Sequence, residues 1–82
     1  MTGTIITLDR LKPRQNAIIR QIRICGTLEQ RLADLGLIEG TKITCRMVAP
    51  CGSPAAYEFR GTVVALRSTD AAGILCTVEV PA

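Results

Sequence analysis

Five short runs of this chain alternate apolar with polar side chains, and only one stretch between them breaks into helical spacing. The runs are "NAIIRQIRI", "TKITCRMV", "AYEFR", "TVVALR" and "ILCTVEV". Alternation of period two marks half-buried strands, each with one face to a core. Ile22 and Ile24 oppose Gln21 and Arg23; Ile43, Cys45 and Met47 oppose Lys42, Thr44 and Arg46; Tyr57 and Phe59 oppose Glu58 and Arg60. In the last run Ile74, Cys76, Val78 and Val80 oppose Thr77 and Glu79. The chain has 82 residues, which sets the expectation of a single domain over residues 1–82. Five strands in so short a chain leave exposed edges unless the sheet curls on itself. The economical solution is mostly β: a small, partly open barrel of the SH3 kind, with one short helix after the first strand and one helical turn before the last.

The helical stretch is "GTLEQRLADLG". Thr27 is a good N-cap and Gln30 stands three residues later, as in a capping box. Leu28, Leu32 and Leu35 share one face at spacings of four and three. Gly36 follows the last leucine, where a left-handed C-terminal cap favours a residue without a β-carbon, and Leu37 is placed to fold back onto the helix. The helix is thus a lid whose leucines land on the sheet, with Leu32 and Leu35 expected to be buried. Glu39-Gly40 turns the chain into the next strand. "APCGSPA" is a loop, Gly61 marks a tight turn or bulge, and "STDAAG" reads as one helical turn capped by Ser68 or Thr69. Ahead of the first strand, "TLDRLKP" is an ordered lead-in that tucks Leu8 and Leu11 under the domain.

Composition narrows the function. Hydrophobic residues make up 48% and charged residues 21%, a globular rather than a disordered balance. No apolar run is long enough to cross a membrane as a helix, and the N-terminus lacks a basic start followed by an apolar stretch. A cytoplasmic location and reduced cysteines are expected, with no direct membrane insertion. The net charge of +3 is spread over Arg20, Arg23, Arg31, Lys42, Arg46, Arg60 and Arg67, the pattern of a solvated sheet face rather than a phosphate-binding stripe.

The chemistry of catalysis is missing. There is no histidine, hence no Ser-His or Cys-His pair, and no GxxxxGK[ST] phosphate loop. An enzyme is not expected, and no cofactor is implied. Cys25, Cys45, Cys51 and Cys76 form no CxxC pair. Cys45 and Cys76 lie on the apolar phase of their strands, where a free cysteine acts as a small hydrophobe, and Cys51 sits in the mid loop. Asp34, Glu39, Glu58 and Glu79 are dispersed, so no metal site is expected from carboxylates either. Tyr57 and Phe59 share a strand phase and could offer bases a stacking platform, which with the net charge supports an alternative: a small-barrel RNA-binding or ribosome-associated protein. Burial is the simpler fate for the only two aromatics of a small core, and nucleic acid is not the expected partner.

The order of "LGLIEGTKI", "APCGSPAAYEFRGTVVALR", a capped "STDA" and a final strand resembles the FeoA family of bacterial ferrous iron uptake. The matching pieces are Leu35-Gly36-Leu37 followed by Glu39-Gly40, then Pro54, then Gly61 with Ala65-Leu66-Arg67. The lead-in "ITLDRLKPRQNAIIRQI" is also similar to the family's opening, so the resemblance covers nearly the whole chain. Arg14 departs from it, since the family commonly has glycine after the "LKP" step. The resemblance implies an SH3-like barrel. It also implies a cytosolic accessory of FeoB, the membrane ferrous iron transporter with a GTP-binding cytosolic part, acting through protein contact. The fold is similar to the C-terminal domain of metal-dependent repressors of the diphtheria-toxin-repressor type, but with no helix-turn-helix half a stand-alone repressor is not expected. Candidate partner contacts are Leu37 and Ile38 at the helix–strand junction and the outward arginines Arg46 and Arg60, arginine being favoured at interfaces for its forked donors. Self-association is left open.

Overall fold

The structure is a computed structural model and describes residues 4–78. Among the described residues six strands follow one another: β1 (Thr4–Thr7), β2 (Asn16–Ile22), β3 (Lys42–Val48), β4 (Ala55–Phe59), β5 (Thr62–Leu66) and β6 (Ile74–Val78). Helix α1 (Thr27–Leu35) lies between β2 and β3, and the single turn α2 (Ser68–Ala71) between β5 and β6. All pairings are antiparallel in the order β1-β6-β2-β3-β4-β5. Side chains from β2, β3, β4, β5 and β6 enter one core together with Leu8, Leu11, Leu32, Leu37 and Ala71. Strands far apart in the sheet can share one core only if the sheet curls, which gives the SH3-like, partly open barrel.

One strand lies where periodicity indicates only a lead-in. Thr4–Thr7, "TIIT", pairs with β6 as β1. Its four β-branched residues favour extended backbone, but a run of four carries too little alternation to be read as a strand. The chain then makes a 3-10 turn at Leu8–Arg10, and Leu8 and Leu11 are buried as the lead-in requires. The Tyr57 hydroxyl on β4 donates to the Leu8 carbonyl at 3.2 Å, so the one polar atom of a buried ring is satisfied and ties the lead-in to the far side of the core.

Two bulges reset the strand phases. In β2 the register shifts between Ile19 and Gln21. Ala17 and Ile19 therefore point inward before the bulge, and Ile22 packs on the core after it. In β3 the shift lies between Cys45 and Met47. Strict alternation points Met47 inward, but it is 60% exposed and Val48 packs on the core in its place. One unpaired residue flips every later side chain to the other face and bends the strand, as a curled sheet of this size requires.

Both helices begin one residue earlier than their capping side chains indicate. Thr27 and Ser68 are the first helical residues, so Thr69 lies inside its turn, and neither helix has a side-chain cap hydrogen bond. Gly26, at φ 86°, turns the chain out of β2 and occupies the N-cap of α1, which leaves the Thr27 hydroxyl too far along to cap. The C-terminus of α1 follows the sequence closely. Gly36 has φ 104°, its N–H bonds the Ala33 carbonyl at 3.0 Å, and the Leu37 N–H bonds the Leu32 carbonyl at 2.8 Å. That pair of bonds is the Schellman motif. Leu32 is buried and Leu28 packs on the core, but Leu35 is 42% exposed. The cap reverses the chain so that Leu37, not Leu35, fills the space beneath the helix end. At the β4–β5 hairpin Arg60 (φ 51°) and Gly61 (φ 77°) both take positive φ between the paired Phe59 and Thr62, a two-residue type I′ turn.

Candidate docking site at the helix–strand junction

Residues 36–41 join α1 to β3, and Thr41 holds them in shape. Its hydroxyl donates to the Gly36 carbonyl at 3.1 Å and accepts the Ile38 N–H at 3.2 Å. Thr41 is only 6% exposed, so these bonds form largely out of water. The Thr41 N–H also closes the Glu39-Gly40 turn onto the Ile38 carbonyl at 3.1 Å. The far side of the segment is sewn to β2. The Gly40 N–H donates to the Ile19 carbonyl at 2.7 Å, and the Ile19 N–H to the Thr41 carbonyl at 2.9 Å. A chain fixed from both sides presents its exposed residues in one geometry.

What this segment presents is an apolar groove. Ile22, Ala33, Leu37 and Ile38 line a hollow of about 400 Å³, bracketed by Glu29 and Glu39. Ile38 is 50% exposed at its rim. Glu29 and Ala33 stand four apart on α1, so one helix face supplies both. Two carboxylates beside apolar walls form a negative rim on a chain of net charge +3.

The four candidate contacts separate here. Leu37 is 1% exposed and belongs to the core; its side chain forms the floor of the groove rather than a free docking contact, because the helix cap turns it inward. Ile38, one residue on, points the other way. Arg60 joins this neighbourhood, with its aliphatic stem over Gly36. Arg46 does not line the groove. It pairs with Glu58 at 3.3 Å across the exposed face of β3 and β4, and lines a separate polar cleft with Arg14 and Cys45. An exposed pair of this kind adds little to stability. Thr41 and Glu29 carry no signal of this role in the sequence, since a threonine before a strand and a glutamate in a first helical turn are ordinary in themselves. The spacing of Glu29 and Ala33 is the one readable hint.

Cys45 and Cys76 are buried and Cys51 is exposed, as strand phase and loop position predict, and Cys25 is exposed as well. Among the described residues no three His, Cys, Asp or Glu side chains gather as metal ligands. Burial pushes the Cys45 thiol above its usual range, against a smaller opposite effect from its hydrogen bond with the Met47 backbone, and pushes Cys76 up to about 11. Both remain neutral thiols at neutral pH and are weak ligands and nucleophiles. Tyr57 and Phe59 are 1% and 2% exposed, so neither ring can stack a base. Among the described residues no helix is long and apolar enough to cross a membrane.

The fold and the order of motifs match known proteins. The FeoA domain model matches residues 6–78. The chain is similar to the FeoA protein of Chlorobium tepidum, with 28% identity, a TM-score of 0.86, and coverage of 92% of this chain and 71% of that one. It is similar to a FeoA-like protein of Clostridium acetobutylicum, with 28% identity, a TM-score of 0.82, and coverage of 100% and 94%. It shares its fold with Stenotrophomonas maltophilia FeoA, solved with zinc and described as a procaryotic SH3 domain protein, at 22% identity, a TM-score of 0.77, and coverage of 90% and 95%. No curated protein matches the chain significantly. With the helix cap, the Glu39-Gly40 turn and the Gly61 hairpin all in place within the matched span, the chain belongs to the FeoA family.

Proposed function

We propose that this chain is a cytoplasmic accessory of ferrous iron uptake that docks on the cytosolic side of an FeoB-type transporter and modulates it by contact. Membership of the FeoA family supports the iron-uptake role. The observation that carries the docking reading is the groove walled by α1, the junction residues 37–39 and Ile22 of β2: a half-exposed apolar rim at Ile38 between Glu29 and Glu39. That chemistry fits an apolar anchor side chain flanked by lysine or arginine, with Arg60 at the border of the contact. Arg46 lies on another face and contributes through a second contact or not at all. Binding then biases one conformation of the transporter, and this chain does no chemistry itself.

Ile38→Asp tests the reading. Its side chain is half exposed, so the charge is tolerated and the melting temperature stays within a few degrees. Calorimetry against the whole transporter should show binding lost, and ferrous iron uptake in cells lacking the wild-type chain should not be restored by the variant. Full binding by a stably folded Ile38→Asp would place the docking surface elsewhere. No binding by the wild-type chain in any nucleotide state of the transporter would remove the partner.

A further inference from the structure

Arg60 holds the first central position of the β4–β5 turn, where φ is positive and glycine, asparagine or aspartate is usual. A long side chain at φ 51° is strained, and such strain persists only where the surrounding structure holds it. The contact that Arg60 makes lies at Gly36. Outside the adjoining chain, the three atoms nearest to the point where a Gly36 β-carbon would stand all belong to Arg60: Cδ at 2.6 Å, Nε at 3.2 Å and Cγ at 3.7 Å. No charge partner draws the side chain there, since among the described residues the Arg60 guanidinium forms no salt bridge. The stem itself makes the contact, with the charged head left to water.

The peptide under that stem carries the rim of the groove. The Gly36 carbonyl accepts the Thr41 hydroxyl at 3.1 Å, and the same hydroxyl accepts the Ile38 N–H at 3.2 Å. Stem, glycine, hydroxyl and rim are one chain of direct contacts. Gly36 has the widest conformational freedom of any residue in it, so its peptide is where the junction would swing if left uncovered. Resting on the docking reading of the groove, we propose that Arg60 is its positioning residue: the stem pins the Gly36 peptide, which keeps Thr41 on the Gly36 carbonyl and Ile38 at one height on the rim. The charge does not carry this role. Glu29 and Glu39 bracket the groove and favour a cationic partner, which a guanidinium repels. The β4–β5 hairpin therefore sets the shape of the groove without lining it.

Arg60→Gly separates positioning from stability, because it removes the stem and also relieves the strained turn. Hydrogen exchange of the free chain reads the rim directly. The Ile38 amide should exchange roughly tenfold faster relative to the β6 core amides, at a melting temperature within a few degrees of wild type. Arg60→Met keeps an unbranched stem without the charge and should restore the protection. Against the whole transporter the glycine variant should bind roughly tenfold more weakly, and the methionine variant should recover most of the loss. Unchanged Ile38 exchange in the glycine variant overturns the inference, as does equal acceleration of every core amide. So does a methionine variant that exchanges as fast as the glycine one, or a glycine variant with a loosened rim that binds like wild type. If the wild-type chain binds in no nucleotide state of the transporter, the docking reading falls, and the Ile38 exchange alone decides whether Arg60 sets the rim.

Discussion

Arg60 lies so close over Gly36 that a β-carbon on that glycine would stand 2.6 Å from the Arg60 Cδ. The helix cap and the β4–β5 hairpin meet at this point, and hydrogen in place of a side chain lets the arginine stem cover the cap. Gly36 is also at φ 104°, which L side chains rarely adopt. Gly36→Val must therefore strain the backbone and push Arg60 aside. We expect a loss of about 1–3 kcal/mol, measured by urea unfolding. Gly36→Ala should lose less, because it lacks the β-branch. Unchanged stability in the valine variant would mean that the cap is not in this conformation.

Thr41 joins the Gly36 carbonyl to the Ile38 N–H through one hydroxyl. Thr41→Val keeps the shape and removes both bonds, leaving two backbone groups short of a partner. The expected cost is about 1–3 kcal/mol, with Thr41→Ser recovering much of it. Faster hydrogen exchange at Ile38 in the valine variant would place the loosening at the junction. Equal stability of the valine and serine variants would show that packing, not hydrogen bonding, holds the segment.

Arg14 stands where the resemblance to the family implies glycine, and it has φ 72°. Its N–H still donates to the Cys45 carbonyl at 2.7 Å, and the Cys45 N–H to the Gln15 carbonyl at 3.0 Å. The turn survives the departure because these bonds and the Lys12–Gln15 bonds fix it. An arginine in the left-handed region costs roughly 1 kcal/mol that glycine does not. Arg14→Gly should raise the unfolding midpoint modestly, offset in part by the greater freedom of glycine in the unfolded chain. A fall in the midpoint would show that the Arg14 side chain contributes more than its backbone costs.

The buried acids set an alkaline limit. Burial first, then the neighbouring Cys45, Asp9 and Cys76, pushes the Tyr57 hydroxyl up to about 12, while Cys76 stands at about 11. Their ordinary values are 10.0 and 9.0. Above those values the unfolded chain releases protons that the native chain keeps, so stability falls as pH rises. The contribution is full below about pH 9 and is lost between about pH 9 and 12. Urea midpoints across this range should drop, and less steeply in Cys76→Ala measured against its own neutral-pH midpoint. A flat profile would contradict the burial of both groups. At neutral pH a thiol reagent should modify Cys25 and Cys51 quickly, and Cys45 and Cys76 only as the chain unfolds.

Local signals in the sequence determined what local physics controls. The left-handed cap at Gly36, the turn at Glu39-Gly40 and the hairpin at Gly61 follow from which residues tolerate positive φ, a property of one residue and its neighbours. The burial of Tyr57, Phe59, Cys45 and Cys76 follows from strand phase. Ile38 as a candidate contact was legible too, but its neighbour was not. Whether Leu37 or Ile38 faces solvent depends on how far the Schellman turn swings the chain against the sheet. Only the tertiary structure decided where β2 and β3 bulge, because a bulge is a mismatch between two strands and leaves no trace in either alone. That mismatch sent Met47 outward and Val48 inward. The strand at Thr4–Thr7 likewise exists because β6 offers it an edge, and Thr41 matters because folding brings the Gly36 carbonyl and the Ile38 N–H within reach of one hydroxyl. Periodicity and φ preference act within a few residues, whereas register, edge pairing and the walls of a groove are set by residues that meet only when the sheet curls.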